Sequence, residues 1–384
     1  MIYIHNATLY TPSEIIDHGV VIISGETITA IGPQDELACP VGAQSVDAGG
    51  LNLVPGFIDL QVNGGFGMDF ATAPETIWQV GENLTRFGVT SFLPTIVSSK
   101  PGTIRHAQAV VHHGPPSGYC GAAVIGLHLE GPYLNPEKCG AHDPANLSLP
   151  QAGEYEQWSP SSHVRLVTLA PELPGSLPAV RTLIRNGVLV SAGHSQANYT
   201  QAQAGFQAGI RYGTHLFNAM PAFNHRQPGL VGAILNDDRL TAGMIVDGIH
   251  IHPSMVQFAW KMLGAGRTSL VSDAVAALGM PPGEYHFGTR TVYTDGSSIK
   301  LSDGRLAGSL LSLDQALRNL ISFTGCSLPE ALSTVTQVPA DLLHLEPWLG
   351  RLAIGSQADL VLLTGDAHIA RVWVHGQQVR LISE

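Results

Sequence analysis

Eight short apolar runs, separated by helix-like stretches, govern what this chain can fold into. They are LVPGFIDLQV, VTSFLPT, AVIGLHLE, VRLVTLAP, GVLVSAGH, IRYGTHLF, AGMIVDG and TSLVSDAV, spread between residues 53 and 275. Strands buried on both faces read as continuous apolar runs, and their alternation with helices is the pattern of parallel βα units. One intervening stretch, PETIWQVGENLTRFG, puts Ile77, Val80, Leu84 and Phe87 on one helical stripe, with Gly88 as its stop. The expected fold is therefore α/β, a (β/α)8 TIM-like barrel. A length of 384 residues holds such a barrel of about 250 residues and leaves an accessory module.

The two ends of the chain follow a different rule. IYIHNATLYT, GVVIISGETITAIG and QSVDAGGLNLVPG near the start, and RLAIGSQADLVLLTG and ARVWVHGQQVRLI near the end, alternate with a period of two between turn residues. This predicts a small β-sandwich formed by both termini, residues 1–52 and 348–384, around a barrel at 53–347. Within the barrel segment, residues 283–306 carry too many turns and β-branched residues for a helix and are expected to form an inserted β-hairpin. EGPYLNPEKCGAHDPANLSLP, after the third run, reads as a long functional loop.

Charge and cysteine usage exclude several classes. A net charge of −11 offers no broad basic face for nucleic acid or an anionic membrane, although one or two arginines suffice to capture a small phosphate. Cys39, Cys120, Cys139 and Cys326 show no C-x-x-C spacing, so neither a disulfide framework nor a thiolate zinc site is expected. No apolar run of about 20 residues occurs, and MIYIHNATLY lacks the layout of a secretory signal. A cytoplasmic protein is the expectation. NGGFG, after the first run, lacks the spacing of a nucleotide-binding loop.

In a parallel barrel the strand ends converge on one face, so residues far apart in sequence can meet there. Those ends here carry Asp59 and Gln61, Glu130, His194, His215, Asp247 and His250, and Asp273. Glu130, His194 and His215 offer one carboxylate and two imidazoles, a ligand mixture suited to zinc or another borderline divalent ion with an open position for water. A solitary histidine is more often a surface or core residue than a ligand; two histidines and a glutamate at three strand ends shift that balance. Asp273 is either a carboxylate facing the ion's water or the N-cap of the next helix.

PGFIDLQVNGG, GLHLEGPYLNPEKCGAHDP, SAGHS, THLFNAMPAFNHRQPG, DGIHIHP and LVSDA occur in this order along nearly the whole chain. This series resembles the N-acetylglucosamine-6-phosphate deacetylases of the amidohydrolase superfamily. The resemblance implies hydrolysis of N-acetylglucosamine 6-phosphate to glucosamine 6-phosphate and acetate, in amino-sugar breakdown. It implies that Glu130, His194 and His215 bind the catalytic metal, that Asp273 is general base and acid, and that His142 contacts the acetyl carbonyl. Gln61, Asn218, Ala219, Arg226 and His250 are implied as substrate-binding, with His250 delivered from the neighbouring subunit of a homodimer.

Many superfamily members carry His-x-His after the first strand, where this chain has Gln61-Val62-Asn63. Amides are poor zinc ligands, so one divalent ion per subunit is expected: zinc first, with iron or another divalent ion accommodated by the same ligands. An amidohydrolase acting on another N-acyl sugar or an N-acyl amino acid is the alternative. A non-catalytic barrel is the reading from a different class.

Overall fold

The computed structural model describes residues 1–380; residues 381–384, the end of the expected C-terminal sandwich segment, lie outside the described residues. All eight apolar runs form parallel strands. We number them β1 (Phe57–Val62), β2 (Val89–Val97), β3 (Leu127–Glu130), β4 (Val164–Leu169), β5 (Leu189–Ala192), β6 (Tyr212–Gly213), β7 (Thr241–Met244) and β8 (Thr268–Leu270). Each pairs with the next in sequence order. The circle closes just beyond β8, where Val62 bridges to Ala274 and the Asp273 N–H donates to the Gln61 carbonyl at 2.9 Å.

Burial explains the patterning of β1, whose six residues are all inaccessible. Ile58, Leu60 and Val62 join the main hydrophobic core, while Asp59 and Gln61, on the other side of the strand, bond to Ser272, Glu130 and Asp273. The run LVPGFIDLQV is not one strand, however. Asn52–Pro55 pairs antiparallel with Leu360–Leu363 in the terminal sheet, and the barrel strand begins only at Phe57. Gly56 marks the break, and a Cβ there would lie 2.1 Å from Thr90 Oγ1. Apolar continuity hid this change of partner.

The helix expected after β1 spans Ile77–Leu84, with Ile77, Val80 and Leu84 buried, and Gly88 ends the following turn at φ 77°. Phe87 lies in that 3-10 turn and stacks on Phe66. The segment after β3 is a loop with 3-10 turns and one short helix, Ala152–Tyr155. Residues 283–306 hold one strand more than a hairpin: Gly283–Phe287, Arg290–Thr294 and Ile299–Lys300, the chain turning back at Asp295 and Gly296.

Both ends of the chain build one eight-stranded sheet. Ile2–Tyr10 pairs with Gln44–Asp47 at its start and with Asn52–Pro55 further along, and the latter carries the C-terminal strands. Ile4, Leu9, Val21, Leu53, Leu360 and Trp373 share its core.

Asp359 sits at the joint between sheet and barrel. Its carbonyl accepts the Gly56 N–H at 2.8 Å, and its buried carboxylate accepts the His375 N–H at 2.7 Å. Burial pushes its pKa from the ordinary 3.8 up to about 6, against that hydrogen bond. A folded-state pKa above the unfolded value means stability that is complete below the unfolded value and lost as pH rises through the folded one. The Asp359→Asn variant should therefore gain stability relative to the parent chain as pH rises from about 4 to about 7. Denaturant midpoints across that range test this, and parallel pH curves would refute it.

Candidate active site

Glu130, His194 and His215 come from the ends of β3, β5 and β6 and are nearly inaccessible, at 2%, 5% and 4% exposure. Glu130 Oε1 lies 3.2 Å from His194 Nε2 and 3.1 Å from His215 Nε2, and the two Nε2 atoms are 3.1 Å apart. His194 Nδ1 is 2.8 Å from the Lys138 carbonyl, to which it donates, so its Nε2 turns a bare lone pair toward this triangle. Among the described residues these three form the one cluster able to hold a metal ion. The donor set fits: one oxygen and two nitrogens at this spacing suit a borderline divalent ion bound at about 2.0–2.2 Å. Burial alone would raise the Glu130 carboxyl, but the close contacts of the His142, His194 and His215 rings outweigh it and hold it well below the usual carboxylate range.

The chain leaves its strands sharply here. His194, His215 and Asp273 have φ of 49°, 27° and 49°, a region disfavoured for side-chain-bearing residues. Such strain persists where surrounding structure holds it, typically at functional sites. Gly193 makes the turn into His194 fit, since a Cβ there would lie 2.8 Å from Thr214 Cβ.

Asp273 Oδ1 accepts from Asn63 Nδ2 at 2.7 Å and Gln61 Nε2 at 3.0 Å. Gln61 Nε2 also donates to Glu130 Oε1 at 3.1 Å. Burial and then the Glu130 charge push Asp273 from 3.8 up to about 6. His142 Nδ1 accepts the Ser98 N–H at 3.2 Å, so its ring proton sits on Nε2, which lies 3.5 Å from Glu130 Oε2. The loop bearing His142 is tied to the inserted strands by Thr289 to Asp143, 2.7 Å, and by Arg305 to the Gly140 carbonyl, 2.5 Å.

A cavity of about 150 Å³ gathers Glu130, His142, His194, His215, Asp273, Asn218, Ala219 and His250. Larger hollows exist elsewhere, so chemistry and not size singles this one out. The other three expected residues are placed as follows. Gln61, expected to bind substrate, bonds through Nε2 to both carboxylates, Glu130 and Asp273. His250, expected to reach a neighbour's site, lines the cavity of its own chain, oriented by Asp247 Oδ2 at 2.7 Å. Arg226 is exposed in the loop after Ala219 and does not line the cavity. The sequence reading gave no role to Asn63, Ser98 or Phe287. Asn63 follows Gln61 by two, a spacing that puts both on one strand face, and this was the available signal.

A parallel barrel with a buried carboxylate and two imidazoles at its mouth is the architecture of a metal-dependent hydrolase. Residues 52–379 match the amidohydrolase family, and the chain belongs to it. The human N-acetylglucosamine-6-phosphate deacetylase is 40% identical over 87% of this chain and 84% of its own. An Escherichia coli N-acetylgalactosamine-6-phosphate deacetylase is 37% identical over 94% of both chains. Among solved structures, the N-acetylglucosamine-6-phosphate deacetylase of Pasteurella multocida superposes with a TM-score of 0.91 at 30% identity, covering 98% of this chain and 99% of its own. A mutant Mycobacterium smegmatis enzyme, in complex with N-acetyl-D-glucosamine-6-phosphate, gives 0.89 at 32% identity, over 98% and 99%.

The purified chain should hold about one divalent ion, and Glu130→Ala should lose most of it, because two imidazoles alone leave the ion short of ligands. Elemental analysis after dialysis measures this. Two ions per chain, or full retention in Glu130→Ala, would sink the assignment.

Proposed function

We propose that this chain hydrolyses N-acetylglucosamine 6-phosphate to glucosamine 6-phosphate and acetate. The observation that carries the reading is a buried carboxylate, Asp273, beside the Glu130–His194–His215 cluster in one cavity. Zinc is the ion we assign to Glu130, His194 and His215. When bound, such an ion acidifies water and polarises a carbonyl oxygen.

Asp273 supplies the proton traffic. Asn63 and Gln61 both engage its Oδ1, which leaves Oδ2 to take a proton from attacking water and return it to the departing amine. A pKa raised to about 6 suits an acid and base that must act in both directions near neutrality. His142 Nε2–H donates to the carbonyl oxygen as negative charge builds there, in a site from which the barrel excludes bulk water.

At the phosphate end, His250 presents Nε2 because its Nδ1 is held by Asp247. The Asn218 N–H is taken by the His215 carbonyl at 2.9 Å, so the Ala219 N–H is the main-chain donor left for a phosphate oxygen. Arg226 completes the grip from a neighbouring subunit, since it stands away from its own chain's cavity; a homodimer is therefore part of the reading. Four free thiols accord with a cytoplasmic setting. A second reading, the galactosamine epimer, is favoured by the Escherichia coli relative.

Acetate release from both 6-phosphates, with N-acetylglucosamine as control, tests substrate choice; equal rates with and without phosphate would exclude the phosphate assignments. Asp273→Asn should lower kcat about 10²- to 10⁴-fold with the ion retained, and near-normal turnover would refute the proton role. Mixing inactive Asp273→Asn with Arg226→Ala chains should restore turnover in heterodimers, because one cavity then has an intact Asp273 and an intact partner arginine. No recovery on subunit exchange would mean that Arg226 acts within its own chain or not at all.

A further inference from the structure

A second cavity, of about 830 Å³, opens at the other end of the barrel. Leu189 and Thr241, at the starts of β5 and β7, line it together with Ser333, Gln337, Val338 and residues 341–344. Barrel reactions occur at the strand ends, so this hollow takes no part in the hydrolysis proposed above.

Its charge sets it apart. The chain has 19 lysines and arginines against 30 acidic residues, yet Arg165, Arg211 and Arg239 all line this one space. Arg239 is neutralised by Asp237, at 2.9 and 2.6 Å. Asp341, the one carboxylate in the lining, is engaged by Arg351 at 2.6 Å. Arg211 Nη1 reaches only the carbonyls of Phe206 and Ile210. Arg165, on β4, is half-buried and has no hydrogen bond or ion pair among the described residues. Burial lowers its pKa and no acid opposes this. An unpaired, partly desolvated guanidinium is a cost that a structural role does not explain, since Arg165 makes no bond that holds the fold.

The remaining lining has an apolar side, including Ile184, Val188, Leu189, Val338 and Leu342. A volume of 830 Å³ falls within the range of small-molecule sites and far exceeds a bare ion. We propose that this cavity is a second binding site, for a small organic molecule carrying one phosphate or carboxylate group. The anionic head meets Arg165 and Arg211, bidentate contact being the natural geometry for guanidinium and oxyanion. The uncharged body lies against Ile184, Val188 and Leu189.

Phenyl phosphate and benzoate are suitable probes, with phenol as the uncharged control, titrated by calorimetry into the metal-loaded chain. Binding of at least one anionic probe is expected, weakened roughly tenfold or more in Arg165→Gln, the scale of one charge-assisted contact. Phenol should bind no better than background. Arg165→Gln should retain the parent's acetate release, because the guanidinium makes no bond in the fold and glutamine keeps most of the stem that packs on Gly126. A crystal soaked with the tighter probe should place its anionic group beside the Arg165 guanidinium. Equal affinity in parent and variant, or a probe bound only at the strand-end cavity, would overturn the proposal, as would failure of both anions to bind. None of these outcomes depends on which acetamido sugar is the substrate.

Discussion

Three atoms that can each offer a lone pair to a cation, a carboxylate oxygen and two imidazole nitrogens, are held 3.1–3.2 Å apart where water barely reaches. In a medium of low dielectric such an arrangement is costly unless positive charge lies among them. The rest of the mouth of the barrel can be derived from that demand. The Lys138 carbonyl fixes one imidazole, the amide of Gln61 steadies the carboxylate, and the sharp turns at His194 and His215 aim both rings inward. A rigid parallel barrel supplies the support that strained turns need.

The same contacts that close the barrel position the carboxylate to which we assign proton transfer. Asp273 donates its N–H to the Gln61 carbonyl to complete the circle, while its side chain accepts from the Gln61 and Asn63 amides. Closure and the proposed site therefore share residues, and a slip of one position between β1 and the segment after β8 would displace the Asp273 carboxylate as well as unseal the sheet. The raised pKa follows from the same enclosure, through burial first and the neighbouring Glu130 charge second.

Much of this was legible in the residues. Eight apolar runs identified eight strands because strands buried on both faces leave a continuous mark, and the metal cluster could be read from polar residues at their ends. What escaped was whatever depends on partner choice and direction. LVPGFIDLQV gave no sign that it leaves one sheet for another at Gly56, because both partners bury apolar side chains. His250 and Arg226 could be named as candidates for one phosphate, but which of them faces its own chain's cavity depends on loop paths that no periodicity records. Ser98 was invisible for a simpler reason: its main-chain N–H and its hydroxyl both meet His142 Nδ1, at 3.2 and 2.9 Å, and a serine in a loop carries no pattern that marks such a contact.

Gln61 gives the single-ion reading a structural basis stronger than ligand preference. Its Nε2 is a donor, spent on Glu130 Oε1 and Asp273 Oδ1 at once, and so lies between the two carboxylates that a second cation would have to bridge. An imidazole at this position could turn a lone pair toward an ion; an amide nitrogen cannot, because it has no free lone pair to offer. One neutral side chain thus does by hydrogen bonding part of what a second ion would do by charge, joining two carboxylates. The remaining charge requirement falls on one site, where Glu130 already meets two imidazoles, and Asp273 stays free for the proton transfer proposed for it instead of being fixed as a ligand.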